Sequence, residues 1–479
     1  MGVQTTRTMS STHPSFEAYE PSSQDPFDRV KAAHLLNRAG FGGTEAEVQK
    51  VIGLGPKGAV DWLLDFSNAS ADEQNSADVP DLSPIKGPAG NFRELRKQLQ
   101  TQTPEQRKQL MKQFQMANRE AFMATFAWWM KRMAGGSHPL QEKLTLFWHG
   151  HFTTSFREER AALLIWEQNE LLRKMAGGNF RKMLHAVSRD PAMLDYLNNN
   201  QNRKGHPNEN FAREVMELFT LGIGNYSEND IKEGARAFTG WMHDGDQFVF
   251  NRRQHDEGMK RFLGKSGNFN GDDVLNIILE KPDCAKFISS ELFAWFVRPD
   301  PEPAQVDAMA KQLRDGDYEL RPVIKTLLTS KAFYSAESIG VQIKSPVQLV
   351  AGTIHLLGIE MPPPQAIFNG LQLMGQVPLM PPNVKGWPGG HNWINASTLF
   401  ARYNSGVRLA QSKLDIAGLS EVNAAPAAVD ALVDRLIQRP VEDKKRKELI
   451  EGYESKTKTD QSIRAVVQLI VSMPEYQLC

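Results

Sequence analysis

Proline, glycine and capping residues cut this 479-residue chain into intervals of helical length almost from end to end, and that punctuation constrains the fold before any motif is read. Asp25-Pro26 can cap and open a helix that runs through His34 and Leu35 and stops at Gly40. Thr44-x-x-Glu47 has the pattern of a capping box, in which hydroxyl and carboxylate each satisfy a free N–H of the next helix. Thr103-Pro104 opens a long amphipathic run that ends at Gly135-Gly136, and Pro139 begins another towards Trp148. Further helices are expected over 158–175, 208–221, 227–240 and 272–279. From Pro282 onward, nearly every interval between Pro or Gly signals keeps the 3.6-residue period, down to 462–472. Strand-like alternation is confined to 246–251, which can form a hairpin with 241–243.

The expected fold is mainly α, a large multi-helix globular fold with at most a short β-hairpin. A single core usually stops growing at about 250–300 residues, so two packed helical subdomains are expected, 25–280 and 281–479. The Ser-, Thr- and Pro-rich stretch 1–24 reads as a disordered arm, and the polar stretch 67–91 as a linker.

Lys plus Arg is 56 and Asp plus Glu is 56, which removes the global electrostatic case for nucleic acid or an anionic membrane as partner. The basic run 93–112 alternates with Gln and Glu at helical spacing and reads as a solvated helix face. Cys284 and Cys479 are the only cysteines, too few for a disulfide framework or an all-cysteine zinc site. No apolar run reaches the roughly 18 residues of a membrane span, and residues 1–24 carry neither an apolar h-region nor a twin-arginine pair. Cytoplasm is the default expectation, with the envelope or exterior left open.

Four stretches carry candidate chemistry. In Phe147-Trp148-His149-Gly150-His151-Phe152, two imidazoles flank a glycine. On a helix they diverge by about 200°, whereas in an extended segment, which Gly150 makes easier, they share a face and suit a divalent metal ion. The alternative is a pair of histidines hydrogen-bonded to backbone in an aromatic core. In Asn210-Phe211-Ala212-Arg213-Glu214-Val215-Met216-Glu217, helical spacing puts Phe211 and Val215 on the core face and Glu214 and Glu217 along its border. Paired carboxylates can divide acid and base roles or hold a cation. The structural alternative pairs Arg213 with Glu217 and Glu214 with Arg236. His255-Asp256-Glu257-Gly258 can complete such a centre from a loop, or merely solvate it. The stretch from Pro381 to Trp393 is too rich in Pro and Gly for helix. Its Trp387 and Trp393 are either a stacking platform for a sugar or anchors for the loop.

With HLLNRAGFG at 34–42, FWHGHF at 147–152, NENFAREVMELFTLG at 208–222 and GWPGG at 386–390, the chain resembles the bacterial domain of unknown function 1800 family, over nearly its whole length. The resemblance implies relatedness and brings no established reaction. It also implies a setting: members are often encoded beside a sulfatase- or alkaline-phosphatase-like family that is frequently exported, which points to polymer metabolism of the envelope or exterior.

The leading expectation is a hydrolase or lyase acting on a polar polymer such as a polysaccharide. Glu214, Glu217 and Asp256 are its candidate catalytic residues, and His149, His151 and His255 candidate ligands of a divalent metal. Arg213, Trp387 and Trp393 are candidate substrate contacts. The competing expectation is a non-catalytic helical scaffold or partner of a sulfatase-like enzyme.

Overall fold

The computed structural model describes residues 13–66, 79–85, 92–414, 424–437 and 439–479. Its helices begin where capping chemistry dictates. Thr44 caps Glu45–Leu64 through a complete capping box with Glu47, and Thr103 caps the 32-residue helix Pro104–Gly135 in the same way with Gln106. The first helix is Arg29–Ala39, capped by Asp28 rather than Asp25. Asp25 instead takes the Lys31 ammonium at 2.6 Å. The expected helix over 158–175 is split, because Arg160 adopts a left-handed φ of 52° between the turn Phe156–Glu159 and the helix Ala162–Met175.

Among the described residues the fold is mainly α with two small hairpins. Trp241–Asp244 pairs antiparallel with Gln247–Phe250, as the alternation predicts, and Lys260–Phe262 pairs with Lys265–Gly267. The described part of the N-terminal stretch is not a free arm. Phe16 and Tyr19 are buried in the core, and the Tyr19 N–H donates to the Thr329 carbonyl at 2.8 Å. Residues 1–12, and all of the 67–91 linker except 79–85, lie outside the described residues. Within 79–85, Leu82 and Ile85 are buried.

Two hydrophobic cores form, but residue 280 does not divide them. The first gathers Arg29–Ala39, Glu45–Leu64, Phe180–Val187 and Asn210–Glu217 together with Gly271–Glu280, Pro282–Phe296, Pro303–Asp315 and Leu320–Thr329. Gly271–Glu280 runs into Pro282–Phe296 through Lys281 alone, and both helices contribute to this first core. The second core joins the C-terminal helices to Pro104–Gly135, whose Phe126 meets Phe368 edge-on at 5.6 Å. The helix Pro139–His151 runs along the seam: Leu140, Leu144 and Trp148 belong to the first core and Leu146 to the second.

Candidate functional site: a tryptophan-lined cleft at the seam

Every residue from Leu140 to His149 is buried. A helix enclosed all round leaves its polar side chains two options, internal partners or a cavity. Thr145 donates to the Gln141 carbonyl at 2.7 Å, and Gln141 to the Arg173 carbonyl at 3.2 Å. Glu142 accepts from Trp129 Nε1 at 2.9 Å, Arg132 Nε at 2.6 Å and Arg173 Nε at 3.0 Å. Burial alone would raise its pKa, but the two guanidinium groups hold it below the usual carboxylate value. Lys143, the next residue, is 4% exposed and makes neither ion pair nor hydrogen bond through its ammonium among the described residues. Its contacts are the rings of Phe41 and Trp295, each 5.4 Å away. Burial brings its pKa down to about 7, against the opposing influence of Cys479 and with that of Arg38 and Lys344.

The same helix decides the histidine question. Because His149 and His151 are helical, their rings diverge, and the metal pair expected from an extended segment is not assembled. His149 Nε2 accepts the Leu379 N–H at 3.1 Å, and burial lowers its pKa to about 3. His151 Nε2 donates to the Phe219 carbonyl at 3.0 Å, and burial brings its pKa to about 4. Both are neutral imidazoles tying the seam helix to other segments. His255, the third candidate ligand, donates through Nδ1 to the Thr239 carbonyl at 2.9 Å. Among the described residues no group of three or more His, Cys, Asp or Glu is placed to hold a metal ion.

Among the carboxylates, Asp256 is bound elsewhere while Glu214 and Glu217 stay neighbours. Asp256 is taken by Arg236 through both oxygens, at 2.8 and 3.2 Å, which holds its pKa down at about 2. Arg213 pairs with Glu228 at 3.0 Å and Glu209 at 3.3 Å, and not with Glu217. Glu217 accepts the Tyr226 hydroxyl at 2.7 Å. Partial burial, then the neighbouring Glu217, raises the pKa of Glu214, against the opposing charges of Arg213 and Lys385.

Lys385 leads to the cavity that does assemble. A cleft of about 580 Å3 at the seam is lined by Lys143, His151, Trp295, Lys385, Trp387 and Trp393, with Gln342, Gln348 and Gln376 among its polar groups. Sequence reading found its indoles Trp387 and Trp393 and its His151, and missed Lys143. The missed signal was a Glu-Lys pair set between Leu140 and Leu144 with no polar face to carry it. The loop that brings Trp387 is held by a close approach: Gly386 has φ 75°, and a Cβ there would stand 2.4 Å from the Gly150 carbonyl oxygen. Trp387 meanwhile lies 5.5 Å from the His149 ring, over the face that Gly150 leaves open. It therefore anchors the loop and walls the cleft at once.

Two of the stretches that carry the resemblance, 147–152 and 386–390, line the cleft, and a family model covers all four. The model described as protein of unknown function, DUF1800, matches residues 34–478. The chain belongs to the DUF1800 family. No curated protein and no solved structure matches it. DUF1800 membership gives relatedness, and the chemistry has to be argued from the cleft. No helix among the described residues is long and apolar enough to cross a membrane.

Proposed function

We propose that the protein is an enzyme, a hydrolase or lyase, that binds a polar polymer such as a polysaccharide in the seam cleft. The observation that supports this reading most is the convergence of Trp295, Trp387 and Trp393 with amides and cations on one cavity of about 580 Å3. Indole faces stack on the apolar faces of sugar rings, and a few convergent polar groups orient the hydroxyls. Lys385 joins this cavity to Glu214, since it lines the one and its charge acts on the other. Glu214, whose proton is held more tightly than an ordinary carboxyl's, serves as the acid. Glu217, fixed by Tyr226, is its partner.

The test is turnover on a panel of neutral and acidic polysaccharides, read both by new reducing ends and by ultraviolet absorbance. Hydrolysis yields reducing ends alone, and elimination yields an absorbing double bond as well. Glu214→Gln is expected to lower turnover by about 10²- to 10⁴-fold with an unchanged melting temperature. Neither turnover nor binding across the panel overturns the reading, and a Glu214→Gln chain that fails to fold assigns Glu214 to structure.

A second reading, a non-catalytic partner of a sulfatase-like enzyme, is favoured by one surface. Leu399, Phe400 and Tyr403 stand exposed along the helix Ala396–Ala410. Phe400→Asp is expected to abolish co-elution with such an enzyme if that reading holds, and unchanged co-elution removes this surface from it.

A further inference from the structure

Resting on the cleft reading above, we propose that the ligand is an acidic saccharide unit whose carboxylate pairs with the Lys143 ammonium. The chain is formally neutral, yet the side chains behind this wall are not. Arg38, Lys143, Lys344 and Arg402 are all buried, and none has a carboxylate partner among the described residues. Arg38 donates to the Phe296 and Val297 carbonyls, and Arg402 to the Lys344 carbonyl and the Gln477 side chain. The Lys344 ammonium rests 4.2 Å from the centre of the Tyr476 ring. Cys479 favours charge on Lys143 and Lys344, whereas Arg38 and Lys344 disfavour it on Lys143, and Arg439 and Arg402 disfavour it on Lys344.

Of the four, Lys143 lines the cavity. Cys479 is the one acidic group acting on Arg38, Lys143 and Lys344, so desolvated cations outnumber it here, and an anion entering the cleft offsets the remainder. The neighbouring polar group has the same bias. Gln376 uses its side-chain oxygen to accept the Val347 N–H at 3.0 Å and is left with donors. Gln342 and Gln348 spend their amide N–H groups on the Ala294 and Asn37 carbonyls and keep acceptor oxygens for sugar hydroxyls, Glu291 also lines the cleft, and the Lys143 ammonium beside the Gln376 amide is the place suited to a carboxylate. A neutral sugar offers the ammonium hydroxyl oxygens but no counter-charge.

Pairing requires the protonated amine, so binding is coupled to pH. The other titratable or charged groups facing this region are Arg38, Lys344 and the Cys479 thiol behind Lys143. Glu291, Lys385 and His391 line the same cleft, as does His151 on the helix of Lys143. With Lys143 brought down to about 7, a carboxylate ligand binds the protonated form and loses affinity as pH rises above neutrality.

The experiment is calorimetric titration of the full chain with two matched trisaccharides, β-1,4-linked triglucuronate and cellotriose, which differ only in carboxylate against hydroxymethyl. Triglucuronate is expected to bind about tenfold or more tightly than cellotriose near pH 6, which corresponds to roughly 1.4 kcal/mol. That preference is expected to shrink about tenfold by about pH 8.5 and to vanish in Lys143→Met. Equal affinities overturn the acidic-ligand inference and leave the saccharide cleft standing. Binding of neither overturns the saccharide reading itself. A preference that survives in folded Lys143→Met, or that does not change with pH in the unmodified chain, overturns the assignment to Lys143; the second readout needs no variant.

Discussion

Glu142 and Lys143 are adjacent, buried and charged, and the fold treats them oppositely. Glu142 faces Arg132, Arg173 and the Trp129 indole, so its charge is matched on every side. Lys143, a 100° step round the same helix, faces two aromatic rings and a cavity. Burial is common to both and therefore explains neither role. What separates them is whether the protein provides a directly bonded counter-charge: Glu142 has two, and Lys143 has only the non-bonded influence of Cys479. The directly paired charge holds helices together, whereas the one without a bonded partner is a standing cost that a ligand can relieve.

The largest effect expected from this contrast comes from Glu142→Gln. It leaves two guanidinium groups facing a neutral amide, and breaking a buried pair of this kind costs about 3–5 kcal/mol, to be read as a lowered urea midpoint. The sign with pH follows from the lowered pKa of Glu142 in the fold. Its stabilisation is complete above the unfolded value of about 4.3 and is lost as pH falls through the lower folded value, so the excess cost of Glu142→Gln should shrink in acid. A loss well under 1 kcal/mol would break the comparison by showing that the matched charge is dispensable.

Lys143→Met should act in the opposite direction, raising stability by about 1–4 kcal/mol near neutrality. The folded pKa of about 7 lies below the unfolded value of about 10.4. Between these values the unfolded chain holds a proton that the fold rejects. The unmodified protein therefore gains stability as pH rises from about 7 to 10, and below 7 the cost is constant. Denaturant midpoints for the two chains should thus converge at alkaline pH. A destabilised Lys143→Met would mean that the ammonium contributes to the fold rather than burdening it.

Gly386→Ala ranks next, because the new Cβ meets the Gly150 carbonyl and the residue must hold φ at 75°. A cost of about 1–3 kcal/mol is expected, accompanied by altered Trp387 fluorescence as the loop lifts from the seam. Unchanged fluorescence would detach Gly386 from the positioning of Trp387.

The same contrast shows what a sequence can and cannot disclose. Local chemistry was legible: the capping boxes at Thr44 and Thr103, and the hairpin between Trp241 and Phe250, depend on residues close in the chain. The FWHGHF stretch misled because Gly150 signals extended backbone locally. Its reason for being glycine lies across the seam, where the Trp387 ring lies against it and Gly386 approaches its carbonyl. Lys143 was hidden for a related cause. A Glu-Lys dipeptide looks self-compensating in sequence, and the partners that satisfy one and neglect the other come from Arg132, Arg173, Phe41 and Trp295. Trp387 and Trp393 were found because an indole in a Gly-rich loop has no local packing to explain it. Their meeting with Lys143 is a long-range fact.

Asp256 gives the smallest effect and the finest check on the contrast. Like Glu142 it is held by a guanidinium through both oxygens, at 2.8 and 3.2 Å, but this pair stands nearer solvent on a loop. Water and salt screen such a pair, so Asp256→Asn should cost about 0.5–1 kcal/mol, several-fold less than Glu142→Gln. Its folded pKa of about 2 lies below the unfolded value of about 3.9, so this contribution persists above pH 4 and fades as pH falls through about 2. Added salt should erode it, while leaving the cost of Glu142→Gln nearly unchanged. If the two substitutions cost the same and respond to salt alike, pairing alone governs these charges and enclosure adds nothing. The unpaired enclosure of Lys143 would then lose its claim to be the cleft's distinguishing feature.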